Sequence, residues 1–202
     1  MHVADPLSPR PITSAFIDAC VANGLDRNDD FNAKKQDGAG LYQVTHFHGE
    51  KQGQRCSAAA AYLHPVEDRP NLTVITGALA SRVLIEAGIA SGMVYVKNNK
   101  ENTIKANAEV ILCAGAFGSP KLLKLTGIGP KHELEQHGIT VVYDAPNVGK
   151  NLQDHLDVVF DYEVNTKDVF GVGFTAGLNL IKGASDWRRD GTGLLSTNFA
   201  EG

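Results

Sequence analysis

The hydrophobic pattern along this chain changes period several times, and each change predicts an element. Residues 109–113 are rich in Val, Ile and Leu, which suits a strand covered on both faces of a mostly parallel sheet. Gly115 and Gly118 interrupt that run. Ser119 and Pro120 then form an N-cap and first-turn pair, a helix continues over 121–125, and Gly127 is placed to end it. Upstream, Phe16, Ile17, Cys20 and Val21 fall on one face of a helix over 15–23, capped by Thr13 or Ser14 and closed by Gly24. Two strands follow, 41–48 and the stretch from Arg55, joined by the turn-forming 49–53. A short helix over 57–63 stops at His64-Pro65, and 72–76 reads as another strand. Residues 80–86, 93–97 and 103–106 then predict a β-meander with turns at Gly88, Gly92 and Asn98-Asn99.

Beyond the central stretch, 131–137 predicts a polar helix closed by Gly138, 139–143 a strand and 144–149 a loop. The alternation Val158, Phe160, Tyr162 predicts a strand over 156–162, and a helix is expected near 176–181. Strand, glycine turn and helix N-terminus together let backbone N–H groups approach a phosphate or ribose, because glycine lacks Cβ and the helix end carries positive partial charge. The turn around Gly115 therefore permits a nucleotide site.

The residues themselves narrow this reading. The run 115–129, GAFGSPKLLKLTGIG, resembles the second signature of the glucose-methanol-choline (GMC) family of flavin oxidoreductases, and 147–155, NVGKNLQDH, resembles the segment that follows it. Thr126 stands where that family usually has Ser, which keeps a hydroxyl. The likeness extends more weakly from about His2 to Gly202, with the tone of choline dehydrogenase and related alcohol dehydrogenases. It implies an α/β (α+β) fold: part of a Rossmann-like FAD-binding domain with a β-meander, plus part of an antiparallel-sheet substrate domain. The implied division is 1–64 substrate-domain and connecting segment, 65–155 FAD-domain segment, and 156–202 the start of the main substrate-domain sheet. By the same resemblance the cofactor is FAD, and Val83, Ala114, Gly115, Ser119, Asn151 and Asp154 are the residues expected to meet it. Val83 is expected beside the adenine through its main chain. Arg55 and Ser57 match a connecting segment and are given structural roles. Glu201 resembles a carboxylate facing the active site, where it would meet the trimethylammonium group of choline; a buried quaternary cation needs a counter-charge or aromatic faces. The implied activity is oxidation of a primary alcohol, choline by preference, with the electron acceptor open.

Composition adds limits. With 202 residues, 43% of them hydrophobic, the chain has enough apolar material for one or two globular domains. A net charge of -4 without long Lys/Arg runs offers no footprint for nucleic acid, so no such partner is expected. Cys20, Cys56 and Cys113 show neither a disulfide framework nor zinc spacing, which points to a reducing cytoplasm. No run is apolar enough for a transmembrane segment. Membrane association of a longer protein stays open.

Other groupings are weaker. The acidic stretch Asp26, Asp29, Asp30 and Asp37 lacks the calcium-loop pattern, and His46 with His48 would share a strand face without a third ligand, so no metal is expected. Adjacent Asp154 and His155 point to opposite faces of an extended segment, which argues against a carboxylate–imidazole relay. No catalytic base is assigned within these residues. The pyrophosphate-binding G-x-G-x-x-G turn after a strand is also missing, the cluster Gly171-Val172-Gly173 lacking its third glycine. The expectation is an internal fragment, inactive by itself, of an FAD-dependent alcohol oxidoreductase. The rivals are a non-catalytic binding or assembly module derived from the same fold, and a GMC oxidase or dehydrogenase acting on another alcohol.

Overall fold

A computed structural model describes residues 1–47, 49–156 and 174–196. The chain divides into two compact units, one joining Met1–Thr73 with Asp161–Gly202 and the other comprising Val74–Phe160.

The second unit is built on the meander. Strands β1 (Leu79–Glu86), β2 (Ile89–Lys97) and β3 (Lys100–Lys105) pair antiparallel in sequence order. Both hairpin loops are two residues long and turn through left-handed residues, Ala87 and Gly88 in one, Asn98 and Asn99 in the other. Such turns match the right-handed twist of the strands they join. The expected strands are present, but Gly92 lies inside β2 rather than at a turn. Its Cα is so close to β3 that a Cβ would stand 2.2 Å from the carbonyl oxygen of Ile104. Val94, 1% exposed, and Val83 anchor the packed face.

Helix α1 of this unit in chain order is Gly115–Thr126, which packs against β1. It starts a turn earlier than expected. Gly115, at φ +82°, redirects the chain at the first helical position, and Ser119 and Pro120 lie inside the helix instead of capping it. The helix ends where expected, with Gly127 left-handed at φ +93°. Two-residue strands β4 (Ile128–Gly129) and β5 (Tyr143–Asp144) pair in parallel around helix α2 (Lys131–Gln136), whose Leu134 is 1% exposed. Two strand expectations fail outright here, and the one over 139–143 is met only at Tyr143. Residues 109–113 belong to no regular element, with Ile111 71% exposed, and 72–76 likewise enter no sheet. Among the described residues neither has a partner strand, and apolar β-branched composition cannot form a ladder alone.

The described residues of the first unit form isolated β-bridges rather than sheet strands. Helix α3 (Pro11–Ala22) starts at Pro11 rather than near Ala15, since proline's fixed φ suits the first helical position, and it buries Ile17. The expected hairpin is reduced to the bridge between His46 and Arg55, supported by Phe47 N–H donating to Gln54 O and Cys56 N–H to Thr45 O. The helix over 57–63 is a π-type turn, Ala59–Leu63, and His64-Pro65 continues into a 3-10 turn rather than stopping the chain. The acidic stretch is organised by buried Asn28: its amide donates to the carbonyls of Lys35 and Asp37, and its Oδ1 accepts from Asp30 N–H. Helix α4 (Phe174–Asp190) is longer than the expected 176–181, and Trp187 Nε1 donates to Gly53 O at 2.9 Å. The expected strand over 156–162 and Gly171-Val172-Gly173 lie outside the described residues, apart from Leu156. No helix among the described residues is long and apolar enough to cross a membrane.

Candidate functional site

The turn that opens α1 is the centre of the candidate site. Ala114 is its N-cap and contributes no side-chain cap. The first N–H groups of any helix lack intrahelical partners, so this end offers donors and positive partial charge. A Cβ placed on Gly115 would meet nothing within 4 Å, which leaves open space beside the turn. Ser119 acts from within the helix: its Oγ accepts the Ala114 N–H at 3.0 Å and lies 3.5 Å from the Leu112 carbonyl. It therefore pins the incoming segment to the turn, and its own oxygen is already engaged.

Val83 is placed on β1, 7% exposed. Its N–H donates to Thr126 Oγ1 at 2.9 Å, while the Thr126 hydroxyl donates to Leu122 O at 2.7 Å. At helical spacing Ser119, Leu122 and Thr126 form one stripe of α1. The opposite stripe, with Phe117, Lys121 and Lys124, lines a cleft of about 960 Å³ whose other wall is Gly149–Gln153. Asn151 is part of that wall and holds a left-handed backbone, φ +55°, which asparagine tolerates better than most residues. Asp154 is exposed, and its Oδ1 accepts the His155 backbone N–H rather than an imidazole proton. The six expected cofactor residues thus do not converge on one pocket: Val83 and Ser119 belong to one side of α1, and Asn151 to the other.

The cleft itself was not legible as a site from the sequence. Lys121, Lys124 and Lys150 line it together with His137, and no carboxylate among the described residues does. The Lys121/Lys124 spacing on a helix was the available signal. Lys124 pairs with Glu133 at 2.5 Å. That hydrogen bond, reinforced by the charges of Lys124, Lys150 and His137, holds the Glu133 carboxyl below its usual range against the opposing effect of desolvation.

In the other unit, burial and then the Arg55 charge lower the His46 pKa, and among the described residues its buried Nδ1 has no partner. His48 and Glu201 lie outside the described residues, and among those described no cluster of three or more His, Cys, Asp or Glu could hold a metal.

Comparison with known proteins supplies the family context. Residues 1–157 match the family model described as GMC oxidoreductase. An alcohol dehydrogenase (acceptor) from Pseudomonas putida is 41% identical over 203 residues, covering 100% of this chain and 36% of that protein. An oxygen-dependent choline dehydrogenase from Rhizobium johnstonii is 43% identical over 169 residues, 84% of this chain and 30% of that protein. Among solved structures, an FAD-dependent oxidoreductase from Chaetomium thermophilum superposes with a TM-score of 0.85 at 26% identity, over 96% of this chain and 34% of that one. Pyridoxine 4-oxidase from Mesorbium loti gives a TM-score of 0.65 at 31% identity, over 72% of this chain and 28% of that one. The chain spans about a third of the length of the relatives it matches.

Proposed function

Because this chain belongs to the GMC oxidoreductase family, whose members bind FAD, we propose that it works as part of an FAD-dependent alcohol oxidoreductase, with choline as the preferred substrate. The single observation that carries this reading is the match over 1–157. The relatives named for alcohol and for choline oxidation narrow the substrate class.

The residues present fit the nucleotide portion of such a cofactor. The helix end at Ala114–Gly115 has no side-chain cap and faces open space, as a ribose or phosphate contact requires. When bound, FAD supplies the two-electron acceptor for hydride from the carbinol carbon. In this reading Ala114 and Gly115 offer backbone to the nucleotide, Ser119 fixes the turn, Val83 lies beside the adenine, and Asn151 and Asp154 order the segment leading toward the substrate. Val83 N–H is already engaged, so any ligand contact at that residue excludes its amide proton while the present geometry holds. Glu201 would sit opposite the ammonium of choline, holding a charge where the substrate carries its own. No pyrophosphate turn and no assigned base occur in these residues, so by themselves they are expected to be inactive.

The test is to express the complete coding frame, record its flavin spectrum, and add choline or a neutral alcohol of similar size without an electron acceptor. Bleaching by choline at lower concentration than by the neutral alcohol supports the reading; a purified protein without flavin overturns it. Glu201→Gln should raise KM for choline at least about tenfold more than KM for the neutral alcohol, reflecting one lost charge-assisted contact. Equal changes would remove the cation-binding role.

A further inference from the structure

We propose that Thr126 is a positioning residue for the nucleotide end of the cofactor: its hydroxyl sets where α1, and hence the Gly115 turn, lies along β1. The proposal rests on the FAD reading above. Thr126 is the last residue of α1 and lies 43 positions from its partner Val83 in sequence. Its hydroxyl has one proton to give and lone pairs to receive with, and both capacities are used, toward Leu122 O at 2.7 Å and from Val83 N–H at 2.9 Å. The bond to Leu122 fixes the side-chain orientation within the helix; the bond from Val83 ties that orientation to another element.

The location makes the contact consequential. Among the described residues β1 is an edge of the three-stranded sheet, so an outward N–H on it has no neighbouring strand there to accept it. Thr126 supplies the missing acceptor. Directly after it, Gly127 is fixed from the other side: its carbonyl accepts from Val142 N–H at 2.8 Å and Tyr143 N–H at 3.1 Å, and a Cβ there would stand 2.3 Å from Thr140 O. The C-terminal end of α1 is therefore held between β1 and the segment before β5. At 1.5 Å per residue the Gly115 turn is about 17 Å away at the other end of the same rigid rod. A tilt or slide of the rod at Thr126 is carried to that turn. The hydroxyl also withholds Val83 N–H from any ligand, so it decides which backbone groups β1 presents.

The experiment uses the holoprotein. Thr126→Val keeps the shape and removes the hydroxyl, Thr126→Ala removes it without added bulk should the valine variant fail to fold, and Thr126→Ser keeps it. Two readouts do not depend on turnover: FAD affinity from titration of apoprotein, and hydrogen exchange at the Val83 amide. The hydroxyl-less variants should bind FAD about tenfold more weakly and exchange the Val83 proton at least about tenfold faster, while Thr126→Ser stays within about threefold of wild type on both. Faster exchange or a lower Tm with unchanged FAD affinity would overturn the positioning role and leave only a structural one. Weakened affinity in Thr126→Ser equal to that in Thr126→Val would also overturn it. Wild-type protein that binds no FAD would defeat the functional reading itself, whereas wild type that binds FAD alongside unaffected variants would defeat this inference alone.

Discussion

Two stretches of the second unit have nearly the same chemistry and different fates. The meander, Leu79–Lys105, and the run 109–113 are both rich in Val, Ile and Leu. In the meander those residues form three paired strands, and Val94 is 1% exposed. In 109–113 no strand forms among the described residues, and Ile111 is 71% exposed. The difference is the source of the partner. A meander brings its own, because two-residue turns return the chain beside itself. A strand of a parallel sheet takes its partner from distant sequence, across a crossover of a dozen or more residues. Strand propensity is realised only where a ladder is within reach.

The largest test of that contrast is Gly92→Val. A side chain there would press on the Ile104 carbonyl from 2.2 Å, so the β2–β3 pairing must open. Denaturant unfolding should show a loss of about 3 kcal/mol, the upper end of overpacking costs. A loss below about 1 kcal/mol would mean the close approach is absent. Next in size is the pair Val94→Ala and Ile111→Ala. The buried site should lose about 2 kcal/mol and the exposed one less than about 0.5 kcal/mol. Equal losses in the complete protein would show that 109–113 finds its ladder there, which would dissolve the contrast and extend the Rossmann-like sheet through Ile111.

The smallest effect expected is electrostatic and concerns α1 and α2 rather than strands. Glu133 is held below its usual pKa chiefly by the Lys124 hydrogen bond. A carboxyl with a lowered folded pKa contributes stability that is present above its unfolded value, 4.5, and is lost as pH falls through the folded value. Thermal unfolding of wild type and Glu133→Gln should therefore differ at pH 7, with wild type the more stable, and converge as the pH is taken well below 4.5. A gap independent of pH would assign the effect to packing instead.

How far the site could be read in advance depends on the same distinction between local and distant partners. Gly127 as a helix end, the Ala114–Gly115 turn and the meander follow from residues close in sequence, and all are present. Ser119 has the chemistry of an N-cap but directs it elsewhere: its oxygen reaches Ala114 N–H from inside the helix. Pro120 likewise has a first-turn preference, yet it is accommodated here beyond the first turn. The His46–His48 pairing and Glu201 depend on residues outside those described.

Signature residues, turn glycines and hydrophobic period act over a few positions, and they carry the family, its cofactor class, the meander and the Gly127 helix end. The tie from Thr126 to Val83, the cleft shared by Lys121, Lys124 and Lys150, and the placing of Val83 and Asn151 on opposite sides of a helix come from the tertiary fold. Those facts depend on which segments meet across tens of residues, and no periodicity within a segment encodes its neighbour.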